Sequence, residues 1–370
     1  MLHAAGSLHD LACVVHVHST FSDGRATVPE IVAAARNSGA DAVLLTDHDT
    51  LEARRRGLEG WHGEVLLLVG VEISPRGGHL LAFGLDEEID HRGLSEAEIA
   101  AAVRRAGALG FPAHPFSTGL RMSRRIGRPH PWGALDGDDY TGIELWSLVT
   151  EAAEAWRGPR EAVRFMRHPE LACVGPPTVN LARWDRICTR RRCVAIGGLD
   201  AHQSGLRLGG RVLSPFPNRR FFRFLRTHVL CAEPPVGELV ADRERVYSAL
   251  REGRCYLGAD LLGSPKGFEY WAEGPAGELV PMGGEAPAGE WTLRARLPLA
   301  AQLRLIRDGR EVERLESATG LEHRVEAPGA WRLEALHERW GRERTWILSN
   351  PIYLRAGGGA DASNRNMYQP

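Results

Sequence analysis

A run of nine residues, His16-Val-His-Ser-Thr-Phe-Ser-Asp23-Gly24, constrains this chain more than any other stretch. It closes an apolar segment, residues 11–17, that reads as a buried strand. Side chains alternate along a strand, so His16 and His18 are expected on one side while Val15 and Val17 point to the other. Two imidazoles side by side at a strand end, with Asp23 on the turn beyond, suit a divalent metal. The same pattern also fits polar residues that merely end a strand. The decision rests on whether the rest of the chain supplies more ligands.

It does so at one kind of place. A helix is expected over residues 28–38, with Thr27 as N-cap and Gly39 as its stop, followed by a strand over 41–46 that runs into Asp47-His48-Asp49. After a short arginine-rich helix near 51–59, residues 65–73 form a near-continuous apolar run typical of a strand buried on both faces, and it carries Glu72. A strand over 79–85 begins with His79, and Ser95 with Glu98 marks the start of a helix reaching about residue 108. Short strands then end in His114 and, over 142–148, carry Glu144. Helices are expected over about 151–167, 181–190 and 243–251, and the strand 193–199 runs into Asp200-Ala-His202. Six of the 15 histidines thus occupy strand ends, where a polar side chain following an apolar run is costly without a partner.

The alternation of strand and helix over residues 11–252 predicts an α/β fold, a parallel sheet closed or nearly closed into a barrel. From about residue 268 the texture changes to short alternating segments separated by Asp308-Gly309 and Pro328-Gly329 turns. The expected organisation is a barrel over 10–262, a small all-β sandwich over 268–355 and a disordered tail over 356–370. The 370 residues carry a net charge of −1, which provides no field for nucleic acid or a membrane surface. No leader pattern or membrane-length apolar stretch is seen, and the six cysteines form no C-x-x-C pair, so a cytoplasmic protein with cysteines in its core is expected.

A mixed histidine and carboxylate set favours zinc, manganese or iron over calcium or magnesium. The donors exceed what one tetrahedral ion needs, so two or three divalent ions bridged by a carboxylate are expected, and with them hydrolytic chemistry. HVHSTFSDG, TDHD, GVEIS with GGHLLAFGL, PAHP and GGLDAH together resemble the successive motifs of the PHP (polymerase and histidinol phosphatase) superfamily over residues 11–255. The resemblance implies a distorted (β/α)7 barrel with a trinuclear site. It implies one ion on His16, His18, Glu72 and Asp200, a second shared by Glu72 with His79 and His114, and a third on Asp23, His48 and His202. The trailing β region, ending in Trp346-Ile-Leu-Ser-Asn-Pro-Ile-Tyr353, resembles the CehA/McbA branch, which includes carbaryl-hydrolase-like proteins.

Asp47 and Asp49 flank His48 and are expected to orient histidines by hydrogen bonds. Glu144 is expected as a ligand-side carboxylate or a substrate contact. Residues 116–140 follow His114 and bring Arg121, Arg124, Arg125, Arg128 and His130, which suit a phosphate or carboxylate as well as they suit water. Arg190–Arg192 reads as solvent-facing. The expected activity is a phosphoesterase in which a metal-bound hydroxide attacks a small phosphate ester, a nucleotide among the candidates. The alternatives are a carboxylester or carbamate hydrolase on the same cluster and a non-catalytic metal-binding scaffold.

Overall fold

The computed structural model describes residues 8–121, 128–209, 211–214 and 216–356. Strand β1 (His9–Val17) leads through helix α1 (Val28–Ser38) to β2 (Ala42–Leu45), and the single turn α2 (Glu52–Arg55) leads to β3 (Gly60–His62), β4 (Val65–Val69) and β5 (Val71–Ile73). Next come β6 (His79–Phe83), α3 (Glu96–Arg105), β7 (Leu109–Ala113), β8 (Gly142–Ser147), α4 (Leu148–Glu154) and α5 (Pro159–Arg167). Helix α6 (Thr178–Arg190) precedes β9 (Val194–Gly198), the small hairpin β10 (Leu206–Leu208) and β11 (Arg211–Leu213), and α7 (Asn218–Phe221). Strand β12 (Arg226–Cys231), helix α8 (Leu239–Glu252) and β13 (Cys255–Gly258) complete the mixed part.

The helix starts follow local chemistry. Thr27 N–H donates to Glu30 at 2.7 Å, and Ser95 and Glu98 exchange hydrogen bonds across the first turn of α3. The helix expected over 151–167 is instead two, α4 and α5. Gly158 is extended and Pro159 opens the second helix, because a residue before proline is pushed out of the α region. Helix α2 is shorter than expected, and α8 starts earlier, where the Glu238 side chain accepts from two backbone N–H groups. All six cysteines are buried and unpaired, and Trp132 is packed inside. No helix among the described residues is long and apolar enough to cross a membrane.

The sheet departs from the expected closed parallel barrel. Strands β1, β2 and β4 are parallel neighbours, but β5, β6 and β7 form a separate antiparallel ladder, and β8 and β9 a separate parallel pair. The loop from β5 to β6, residues 74–78, is too short for a crossover helix, so the two strands must pair as a hairpin. Strand β12 runs antiparallel to both β1 and β13. The ladders break at identifiable residues. Gly70 divides the apolar run 65–73 in two, and a Cβ there would lie 2.5 Å from the Phe83 ring. Register shifts fall between Val15 and Val17 and between Glu144 and Trp146. Isolated bridges, His48 to Glu72 and Val17 to Ala201, are what link neighbouring ladders at the site.

The C-terminal part is all β among the described residues: β14 (Glu269–Glu273), β15 (Leu279–Pro281), β16 (Glu285–Pro287), β17 (Trp291–Arg307), β18 (Arg310–Val325), β19 (Gly329–Arg339), β20 (Arg342–Ser349) and β21 (Ile352–Arg355). Alternate residues of β17, including Leu293, Ala295, Leu303 and Leu305, are buried as period-two patterning requires. Strand β20 pairs with β13, so the two parts share one sheet of 14 strands among the described residues. A buried ion pair ties them a second time, Arg332 on β19 gripping Asp185 on α6 through two hydrogen bonds of 2.7 and 2.9 Å. The expected tail, residues 356–370, lies outside the described residues apart from Ala356.

Candidate metal centre

Three of the expected donors stand where the backbone is strained. His16, His114 and Asp200 have φ values of 64°, 30° and 54°, a left-handed region that costs a non-glycine residue about 1–3 kcal/mol. His16 also sits at the register shift in β1, so simple alternation is not what aims it. The left-handed turn rotates its side chain into the same space as that of His18, and both are fully buried.

Glu72, buried on β5, lies at the centre. Its Oε2 is 3.2 Å from Nε2 of His16, Nε2 of His18 and Nδ1 of His48. Its Oε1 is 2.9 Å from Nδ1 of His79 and 3.3 Å from Nε2 of His114. Asp200 Oδ1 approaches His16 and His18 at 3.4 and 3.3 Å and His202 at 3.5 Å. Asp23 Oδ1 lies 3.1 Å from His202, 3.7 Å from His48 and 3.9 Å from His18. All nine donors named from the sequence are therefore brought together. Among the described residues, three sets have donor atoms within 4.8 Å of one another: His16, His18, Glu72 and Asp200; His48, Glu72 and His79; and His18, Asp23, His48 and His202.

The surroundings explain the rings' orientation. Glu144, fully buried on β8, lies 2.8 Å from His16 Nδ1 and accepts from the His114 N–H at 2.7 Å. It therefore braces two histidines and has no surface to offer a substrate. Ser74 Oγ is 2.7 Å from His48 Nδ1, and Thr150 at the start of α4 donates to the second oxygen of Asp200. Thr150 lies in no motif, whereas Ser74 closes the GVEIS segment. Asp47 and Asp49 depart from expectation, because neither touches a histidine of the cluster. Asp47 accepts from Ser19 and Ser22 and pins the turn after His18, while Asp49 accepts from Ser74 N–H and pairs with His91. His130 lies beside His79 with ring centroids 4.5 Å apart. Arg121 is exposed with no polar partner among the described residues, Arg124 and Arg125 lie outside them, and Arg191 is held by Asp138 and the Tyr140 ring instead of facing solvent freely.

Charge follows these contacts. Burial would keep His16 neutral, yet Glu144, Glu72 and Asp200 raise its pKa well above the usual histidine range. For His202 burial is overcome by Asp200 and Asp23, which raise it to about 9. Burial would raise Glu72 and Asp200, but the facing histidines, His16 foremost, hold both well below the carboxylate range. Asp23 falls to about 2 against its own desolvation, chiefly through His202. His48 moves the other way, lowered by burial that Glu72 does not offset.

The donor set fits divalent metal on an observation independent of any motif. Nδ1 of His18 and Nδ1 of His114 are buried without a hydrogen-bond partner among the described residues. A buried polar atom left unpaired costs about 1–3 kcal/mol, and an ion among these lone pairs removes that cost.

Residues 15–91 match the family model described as "PHP domain". Among solved structures, the chain is similar to a two-domain protein from Bacteroides vulgatus containing a predicted PHP-like metal-dependent phosphoesterase. Identity is 16%, coverage is 95% of this chain and 97% of that one, and the TM-score is 0.40. It is also similar to PsfC from Pseudomonas syringae, at 13% identity over 64% of this chain and 88% of that one, with a TM-score of 0.37. No curated protein matches the sequence.

Proposed function

We propose that the protein is a metal-dependent phosphoesterase acting on a small phosphate ester. The observation that carries this reading is the single carboxylate of Glu72 whose two oxygens face five imidazoles, with Asp200 and Asp23 closing the set. The PHP domain match supports it, since the matched residues contain His16, His18, Asp23, His48, Glu72 and His79. In this reading His16, His18, Glu72 and Asp200 hold one ion. Glu72, His79 and His114 would hold a second, and Asp23, His48 and His202 a third. The C-terminal β region is read as a second domain, and the CehA/McbA branch as the finer placement.

When bound, such ions supply an activated water at neutral pH and neutralise charge developing on phosphate oxygens. The chain's own residues prepare that chemistry. Glu144 accepts a hydrogen bond from His16 Nδ1–H, which would leave Nε2 free for an ion beside Glu72 and Asp200. Thr150 fixes Asp200, and Ser74 fixes His48, so three donors on different elements keep their directions without substrate. Asp23, His48 and His202 are the more exposed members and mark the side where a phosphate enters, with His130 at the His79 edge.

The test is turnover by purified protein loaded with manganese, offered p-nitrophenyl phosphate, bis-p-nitrophenyl phosphate and 1-naphthyl N-methylcarbamate. Hydrolysis of a phosphate ester, lost together with bound metal in His16→Ala, is expected. Turnover of the carbamate alone would overturn the phosphoesterase reading, and an active, metal-replete His16→Ala protein would overturn the site.

A further inference from the structure

A cavity of about 410 Å³ lies between α4, α5 and the tip of the β19–β20 hairpin. That is within the usual size of a small-molecule site. It is distinct from the histidine cluster. Helix α4 gives the cavity Leu148, Glu151 and Ala152 from one helical face, and Ala155 at its C-cap continues that face. Other positions on α4 serve the cluster side, where Thr150 donates to Asp200 and Glu154 accepts from the N–H groups of Thr118 and Gly119.

The cavity has an apolar floor and a cationic rim. Trp146, Leu148, Ala152 and Phe165 are buried beneath it. Arg164 and Arg342 stand at the rim, and neither guanidinium has a hydrogen-bond or ion-pair partner among the described residues. Glu161 shares the rim, leaving the three with a net positive charge. Glu151, in the wall, is raised well above the carboxylate range by burial and by Glu144 and Glu154, so it does not oppose an anion. The far wall is rigid, because Arg344 is 99% buried and donates to the carbonyls of Glu170, Leu171 and Cys173.

A second observation concerns Trp340. It and Gly341 form the two-residue turn between β19 and β20, with φ values of 51° and 71°. Such turns take asparagine or glycine first, since a bulky side chain is strained at positive φ. Here the position holds a tryptophan that is 49% exposed and lines the cavity, with Arg344 over its ring at 4.8 Å. Asparagine or glycine would relax the turn, so what the tryptophan adds is its contact with Arg344 and a flat, half-exposed face on the cavity wall. We propose that this cavity is a binding site, separate from the metal centre, for a small organic anion with a flat apolar body. The ring lies against the tryptophans and Phe165, and the anionic group meets Arg164 and Arg342.

The experiment is calorimetric titration of the full-length protein with 1-naphthoate as the probe. One molecule per chain is expected, with affinity falling at least about tenfold in Trp340→Ala and in the double variant Arg164→Ala/Arg342→Ala, and unchanged in His202→Ala. Trp340→Asn, which suits the turn, is expected to keep or raise the Tm while losing the same affinity. No binding at about 1 mM, an affinity in Trp340→Ala or in the double arginine variant that is unchanged from the unsubstituted protein, or loss of binding in His202→Ala would each overturn the proposal.

Discussion

Gly198 shows how little room surrounds the donors. A Cβ there would lie 2.0 Å from Glu144 Oε1 and 2.9 Å from the His16 Cβ. Gly198→Ala must therefore displace Glu144, His16 or both. The expected cost is about 1–3 kcal/mol in chemical denaturation, together with reduced metal content. A variant with unchanged stability and metal would show that the brace moves freely. Most of the nine donors are legible in the sequence because they border apolar runs, where an unpaired polar residue is expensive. Their bracing is not legible. Glu144 meets His16 across 128 residues and Thr150 meets Asp200 across 50, and no local pattern encodes either contact. Asp47 misleads for the same reason, since adjacency to His48 in sequence says nothing about which way its carboxylate turns.

Among the elements, α6 and β19 are joined by the buried pair of Asp185 and Arg332. Asp185→Ala leaves Arg332 buried with Glu334 as its remaining carboxylate, and a loss of about 3 kcal/mol in urea titration is expected. A loss below about 0.5 kcal/mol would mean that water replaces the carboxylate. Helix starts at Thr27 and Ser95 are legible because capping is local chemistry. Strand partners are not, because alternation identifies a strand without identifying its neighbour. That is why the closed parallel barrel does not appear in the pairing, and why the β13–β20 pairing escapes a reading by composition alone. The 74–78 loop is the exception, since its length alone requires antiparallel strands.

At the scale of the molecule, β12 carries a fully buried His228 between Asp10 of β1, at 2.7 Å, and Asp260, at 3.0 Å. Burial would lower its pKa, but the two carboxylates raise it from 6.5 to about 9. A raised folded value stabilises the protein fully below pH 6.5 and loses that stabilisation as pH rises through about 9. The contribution is up to about 3 kcal/mol at about 1.36 kcal/mol per pH step. Denaturation midpoints are therefore expected to fall between pH 6.5 and 9 and to fall less in His228→Gln. A truncation ending at residue 266 would leave β13 an unpaired edge and is expected to aggregate on expression, whereas a soluble monomer would show that the mixed part is self-sufficient. Removal of metal with EDTA is expected to lower the Tm, because ions that bind only the folded cluster stabilise it by mass action. The spacing of the donors also sets a timetable. His16 and His202 lie 186 residues apart, so at ribosomal rates roughly ten to forty seconds separate the first from the last. For that interval the nascent chain exposes its histidines without the partners that complete the cluster. A metal that needs the complete donor set would therefore be captured late in biosynthesis, after residue 202 has been made.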